Sequence, residues 1–240
     1  MLQRIRNSAA AMTAIMRRQE VTANNLANVN TSGFRKERVF EEMLGASVDA
    51  DGFPGSDHLL STWIDTTPGT FAFTERSLDV VIAGGGYFEV EDPETGGLFY
   101  TRAGQFNLDA DGQLTDASGR TVLGESGPIA VPADVDDVRI SQSGEVRSGN
   151  QVFGKIRVVE FAPDTAMKRI PGAAFDVGEA EPVDVPDVML KAGYVESSNV
   201  NVLSEMTDMI EQSRMFEAQQ RSLRTLDQTL ERAIRDLGQY

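Results

Sequence analysis

The stretch TANNLANVNTSGF, Thr22–Phe34, is where one sequence period stops and another begins. Upstream of it, Leu2, Ile5, Ala9, Met12, Met16, Gln19, Ala23 and Leu26 recur in alternating steps of three and four, the spacing of a coiled-coil seam. Downstream, the 9 prolines and all but two of the 22 glycines fall between Gly45 and Gly193, and that punctuation marks a boundary. The boundary itself is uncharged and holds Asn24, Asn25, Asn28 and Asn30. Asparagine tolerates the left-handed region and can bond its own backbone, so a helix running out into a turn at Gly33 explains part of the stretch. Short amides that do not titrate also suit dense contact between chains, provided each buried amide finds a partner.

Between the glycines, short β-branched and aromatic runs alternate with turn residues: LDVVIAGGGYFEVED, GLFYTRAGQFNLDADGQLTD, RTVLG, VRISQSGEV and KIRVVEFA. This predicts antiparallel strands in an all-β module, with hairpin turns at Asp111-Gly112 and Ser143-Gly144. After Glu196 the three-and-four spacing returns at Val202, Met206, Met209, Ser213, Phe216, Gln220, Leu223, Asp227, Leu230, Ile234 and Leu237. Asn201 is the expected N-cap. A helix of that span is about 54 Å long at ~1.5 Å per residue, and its narrow, polar-interrupted stripe suits a seam against another helix. The expected fold is α+β: long N- and C-terminal helices paired as a coiled-coil-like stalk, flanking a central antiparallel all-β module. The expected divisions are residues 1–44, 45–195 and 196–240.

The formal net charge of -15 comes almost wholly from the middle of the chain, which carries 25 acidic and 10 basic residues between Gly45 and Val195. An acidic middle repels phosphate backbones and anionic lipid heads, so nucleic acid and a bare membrane surface are excluded as partners. Cysteine is absent, which removes disulfides, thiol chemistry and cysteine-ligated metals. No apolar run has the length of a membrane span. SAAAMTAIM, Ser8–Met16, reads as helix rather than as the core of a cleaved signal peptide.

Motifs that could carry chemistry fail on particular residues. GNQVFGKI, Gly149–Ile156, approaches a phosphate-binding loop, but Ile156 stands where a magnesium-holding hydroxyl belongs and a strand follows. NLDADGQLTDAS, Asn107–Ser118, approaches a calcium loop, but Ser118 replaces the bidentate glutamate, which leaves a hairpin. GGGY, Gly84–Tyr87, reads as a bulge or tight turn because nothing helical follows. His58 is the only histidine, too little for a zinc site, and is expected on a solvent-facing loop. Trp63, Phe71 and Phe73 around Pro68-Gly69 are expected in a strand packed on a core, with a ligand platform as the alternative. Asn30-Thr31-Ser32 fits a glycosylation acceptor by chance. No catalytic residue, cofactor or metal is expected.

ANNLANVNTSGF near the start, LDVVIAGGGYFEV, FYTRAGQFNLDADGQL and VLG in the middle, and ESSNVNV with MTDMIEQSRMFEAQQ near the end resemble the axial proteins of the bacterial flagellum, the rod and hook subunits. The resemblance implies a non-enzymatic subunit, passed unfolded through the flagellar type III export apparatus without a cleaved signal. It would assemble into the periplasm-spanning rod of the basal body, with no small-molecule substrate and no membrane insertion. Its partners would be other rod proteins and copies of itself; its terminal helices would form an inner tube and its β module the outer wall. The compact middle favours a proximal rod subunit, with a distal rod or hook-type subunit as the alternative.

Carried over as interface positions are Asn24, Asn25, Leu26, Asn28, Asn30, Gly33, Phe34, Ser198, Asn199, Val200, Asn201, Met209, Arg214 and Phe216. The seam adds Leu2, Ile5, Ala9, Met12, Met16, Met206, Leu223, Leu230, Ile234 and Leu237. Arg102 and Gly104 in YTRAG match a central motif expected to serve strand packing. Competing readings are an acidic β module on a helical stalk that binds a glycan or protein, and a carboxylate-dependent hydrolase. Long, narrow-striped helices are marginal alone in water, so neighbours are expected to complete them, with the ends mobile before assembly.

Overall fold

The computed structural model describes the backbone of residues 2–43, 47–48, 54–55, 58–133, 135, 137–162, 165–185 and 188–237, and within these the side chains of residues 7–40, 61–225, 227–229, 231 and 235. It is an α+β chain with two long helices, α1 (Leu2–Ala27) and α2 (Val202–Leu237), and antiparallel strand pairs between them. The 36 residues of α2 are those outlined by the sequence period. Its start is set by Asn201, whose Oδ1 accepts the Ser204 N–H at 3.1 Å, an N-cap satisfying one of the helix's free donors.

Chain contacts divide the fold into two units. One joins residues 1–27, 37–63 and 201–240; the other joins 28–36 and 64–200. The asparagine-rich turn thus folds with the β unit although it follows α1 directly. In the helical unit, strand Glu37–Met43 pairs with strand His58–Ile64. His58, expected on a loop, opens that second strand.

The β unit is organised around strand Tyr87–Glu91, which pairs with three others. Leu98–Thr101 lies along it with Phe88 opposite Thr101, Thr121–Gly124 with Val122 opposite Val90, and Val158–Glu160 with Val158 opposite Phe88. A strand covered on both faces alternates its side chains between two cores. Phe88 and Val90 enter the larger, with Val80, Ile82, Phe106, Leu114, Val122 and Ile129; Tyr87 enters the smaller, with Tyr100, Val159, Phe161 and Phe175. Each such side chain contributes about 1.5–3 kcal/mol on burial, so the larger cluster dominates the stability of this unit.

Glu89 faces the second core and is buried, which needs compensation. Arg157 Nη1 supplies it at 2.8 Å, and the Tyr100 hydroxyl donates to Glu89 Oε1 at 3.4 Å. Burial, with the Glu89 carboxylate beside it, pushes the Tyr100 phenol up to about 12, so it remains a donor at physiological pH.

Both expected hairpins are present. Strands Asn107–Leu108 and Leu114–Thr115 meet across a turn in which Gly112 has φ +77°, and Arg139–Ile140 meets Glu145–Ser148 across one in which Gly144 has φ +87°. Asp109 Oδ1 accepts the N–H groups of Asp111 and Gln113, so the acidic loop is held by its own backbone. Gly149 begins the turn between Glu145–Ser148 and Gln151–Lys155, the hairpin expected in place of a phosphate loop. Gly84–Gly86 form the bend between Val80–Ile82 and Tyr87–Glu91. Strand Phe71–Phe73 departs from expectation: it pairs with Tyr194–Glu196, yet Phe71 and Phe73 are exposed rather than packed on the core.

Gly104 in YTRAG explains the demand for glycine there. Its carbonyl accepts the Val80 N–H at 2.9 Å, and a Cβ would stand 1.7 Å from the Val80 carbonyl oxygen. A Cβ on Gly84 would meet nothing within 4 Å. Gly104→Ala is therefore expected to destabilise the β unit by about 3 kcal/mol or more, and Gly84→Ala to leave it within ~0.5 kcal/mol, in urea unfolding followed by tyrosine near-UV circular dichroism.

Candidate functional site

α1 and α2 pack against each other, and their paired residues run in opposite directions. Asn25 reaches Glu205, Thr22 bonds Gln212 at 3.0 Å, and Gln19 bonds Ser213 at 3.3 Å. Ile15 and Arg18 line a groove with Asp208, Glu211, Gln212 and Met215. The facing positions are thus 15, 18, 22 and 25 on α1 and 205, 208, 212 and 215 on α2. They keep the three-and-four alternation and lie beside the expected seam, whose Gln19 and Ser213 meet directly and whose Met12, Leu26, Met209 and Phe216 are half-buried. Polar side chains bond across the pair, above all Asn25 with Glu205.

Several apolar side chains of the two helices are uncovered. Met16, Met206 and Ile210 are 43%, 49% and 57% exposed, and Leu203 is 75% exposed. Ala9 is exposed; Met12, Leu26, Met209, Phe216 and Leu223 are half-buried, and Arg214 is exposed. The side chains of Leu2, Ile5, Leu230, Ile234 and Leu237 lie outside the described residues.

Asn25 and Asn199 act as surrogate backbone. Asn25 is 1% exposed; its Oδ1 accepts the Glu37 N–H at 2.9 Å and its Nδ2 donates to the Glu37 carbonyl at 2.8 Å. This reproduces the double bond pattern of an antiparallel strand pair, and Nδ2 also reaches Glu205 Oε2 at 3.3 Å. In the β unit, Asn199 Oδ1 accepts the Lys36 N–H, and its Nδ2 donates to the carbonyls of Asp65 and Thr67, each at 3.0 Å. Asn28 accepts from the Thr31 hydroxyl at 3.2 Å and opens the turn, while Asn24 and Asn30 are exposed. Ser198 Oγ accepts the Val200 N–H.

Gly33, Phe34 and Arg35 are buried in the β unit. Gly33 has φ +70°, donates to the Glu196 carbonyl at 2.7 Å, and leaves no space for a Cβ, which would stand 2.2 Å from the Ala103 nitrogen. Phe34 packs with Ala173, Val200 and Val29 beneath the Arg169 guanidinium, 4.2 Å from its ring centroid. Arg169 Nη2 also donates to the Arg35 carbonyl.

Arg35 and Glu196, each with a side chain 1% exposed, pair at 2.6 Å. Arg102 joins them at 3.7 Å, lies over the Tyr87 ring at 5.2 Å and donates to the Gly84 carbonyl at 2.9 Å. Burial holds the Arg102 guanidinium below its ordinary value against the pull of Glu196. Arg102, expected to serve strand packing, serves a buried charge cluster instead. That partnership was out of reach of local pattern because Glu196 lies far away in sequence.

Nothing in these arrangements resembles a catalytic constellation. Among the described residues no group of three or more His, Asp or Glu side chains is placed to hold a metal. Trp63 is half-exposed with Arg38 over its ring at 5.6 Å, a surface aromatic rather than a core one.

The amide of Asn25 generates a sharp prediction. Asn25→Asp places a carboxylate oxygen against the Glu37 carbonyl and Glu205, which favours the protonated form in the fold and raises the folded pKa. The penalty is therefore absent below the unfolded value and grows as pH rises above about 4. Thermal unfolding from pH 3.5 to 8 should show a deficit relative to Asn25 that widens with pH and reaches about 2 kcal/mol.

Three segments match known families. Residues 5–35 match the family described as flagella basal body rod protein, residues 81–148 the flagellar hook protein FlgE/F/G D1 domain, and residues 191–236 the flagellar basal body rod FlgEFG protein C-terminal region. The chain is 32% identical over 234 residues to the flagellar basal-body rod protein FlgF of Mesorhizobium japonicum, covering 95% of each. It is 31% identical over 245 residues to FlgF of Escherichia coli, covering 95% of this chain and 96% of that one. Its identity to FlgG of Bacillus subtilis is 31% over 262 residues, covering 98% of each. These matches take in the asparagine-rich turn, YTRAG and the capped start of α2, and the chain belongs to the flagellar basal-body rod proteins, as a structural subunit of the rod.

Proposed function

We propose that the chain is a proximal rod subunit of the FlgF type, whose paired terminal helices form a coiled-coil-like stalk and pack with those of neighbouring axial proteins into a helical tube that transmits torque. The observation that carries this is the apolar face left on α2: Leu203, Met206 and Ile210 repeat in steps of three and four, and α1 does not cover them. Contiguous exposed apolar surface of that kind marks an association site. A neighbour's helix supplies what α1 does not. Alignment lengths support the proximal type. The Mesorhizobium FlgF alignment needs 234 positions to cover 95% of this chain, against 262 positions for 98% with the Bacillus FlgG, so the distal-type alignment carries more gaps.

The same reading holds that the subunit is exported unfolded by the flagellar type III apparatus and reaches the basal body without a cleaved signal. Among the described residues no helix is long and apolar enough to cross a membrane. This reading assigns to neighbours the exposed Ala9, Met16, Asn24, Asn30, Asn201, Met206 and Arg214 and the half-buried Met12, Leu26, Met209, Phe216 and Leu223.

Leu223→Asp tests the seam. A carboxylate forced into a helix interface costs several kcal/mol, on the order of the whole marginal stability of such contacts. The variant should be absent from purified basal bodies and its cells non-motile, while tyrosine near-UV circular dichroism of the purified chain is unchanged. Normal incorporation would overturn the helix assignment. Immunogold labelling of basal bodies should place the wild-type chain at the inner-membrane end of the rod.

A further inference from the structure

The β unit holds one surface feature that the terminal helices do not account for. A cleft of about 620 Å³ lies among Phe71, Ile140, Gln142, Arg147, Lys191 and Tyr194. Phe71, Ile140, Ala192 and Tyr194 supply its apolar lining; Tyr194 meets Phe73 at a tilt with ring centroids 4.9 Å apart, and Phe71 and Phe73 are exposed. Lys191 Nζ stands 5.6 Å over the Phe71 ring. Both cations are exposed, and among the described residues neither faces a carboxylate partner.

That vacancy of charge is unusual for this chain, which has net charge -15. Arg120, Arg139 and Arg157 on the same unit are each paired with a carboxylate. Arg147 lies directly opposite Arg139 in the strand register, an unfavourable placement of like charges. Asp137 neutralises Arg139 at 2.9 Å, and Arg147 remains. Two uncompensated cations, Lys191 over the exposed Phe71 ring and Arg147 beside it in the cleft lining, on an otherwise acidic unit, fit an acidic protein surface that also carries an apolar side chain.

The chain displays such a surface itself. The hairpin tip around Asp109–Asp111 is exposed, with Leu108 beside it 36% exposed. Asp109 is locked in place by the N–H groups of Asp111 and Gln113, so the tip is pre-organised and loses little entropy on docking.

We propose that the Leu108–Asp111 tip of one copy docks into the Arg147–Lys191 cleft of the next, Leu108 against the aromatic rings and the aspartates against the two cations. Tip and cleft share no residue, so the contact can repeat head to tail from one copy to the next, as a polymer requires. It rests on the reading of the chain as a polymerising subunit, but it adds a lateral or axial contact between β units to the one made by helices.

The absence of cysteine permits a direct test. Ala110→Cys marks the tip and Gln142→Cys the cleft, both at exposed positions that leave the charges in place. Mixed full-length chains under mild oxidation should give roughly ten-fold more disulfide-linked heterodimer than either variant alone gives homodimer. Adding Asp111→Lys to the tip chain should remove the excess, and Lys191→Glu on the cleft chain should then restore it. Asp109 is left unchanged because it holds the turn.

Equal yields of hetero- and homodimer, or an excess insensitive to Asp111→Lys, overturn the proposal. So does heparin binding that Arg147→Glu abolishes in chains giving no cross-link, which assigns the cleft to an anionic polysaccharide. Incorporation of the same variants into basal bodies is scored separately, and chains that incorporate without cross-linking refute this contact while leaving the rod reading intact.

Discussion

One helix can cover only one face of another, and the organisation of this chain turns on that limit. α1 is 26 residues long and α2 is 36, and the pairing of Asn25 with Glu205 and Gln19 with Ser213 fixes which faces meet. Those contacts are polar. Met16, Leu203, Met206 and Ile210 stay outside that contact and remain in solvent. A monomer gains nothing from that exposure. A polymer does, because each uncovered apolar residue contributes about 1.5–3 kcal/mol when a neighbour buries it.

The asparagines serve this division. Asn25 and Asn199 each offer a donor and an acceptor at peptide spacing, and both are used to satisfy main-chain groups of the segment that follows α1. Aspartate could not do this, because it lacks the donor, and serine could not reach two groups at once. Beyond them, Gly33 and Arg35 are buried under Glu196, where one carboxylate compensates a fully buried guanidinium and stands 3.7 Å from a second. Removing one partner from such a pair typically costs about 3–5 kcal/mol, so the cluster is a strong constraint on the local structure even if its net contribution to stability is small.

Local chemistry was readable from the amino-acid order. The ends of α2, the Asn201 cap, the hairpins at Gly112 and Gly144, the bend at Gly84–Gly86 and the rejection of the phosphate and calcium loops follow from period, capping and turn residues. Features decided by distant partners were not. Residues 28–36 looked like a helix terminus, and only the contacts of Phe34 and Arg35 with Val200 and Glu196 assign them to the β unit. The contact between the helices depends on side chains roughly 190 positions apart, as in Thr22 with Gln212. Phe71 and Phe73 have the composition of core residues, and their exposure becomes visible only once strand Tyr194–Glu196 is known to be their neighbour. Membership of the rod protein family was legible from its motifs, and within them Asn25, Gly33, Gly104 and Asn199 meet steric or hydrogen-bonding demands that other side chains do not.

The central claim is that neighbours complete the terminal helices. Amide hydrogen exchange measures it most directly, on the isolated chain and on the same chain in purified basal bodies. The account predicts that residues 203–223 of α2 exchange rapidly in the isolated chain and become at least about a hundred-fold more protected in the rod, a gain of roughly 2.7 kcal/mol, while the core strand Tyr87–Glu91 is protected in both. Equal protection of α2 in the two states would contradict it, because the helices would then be complete without neighbours.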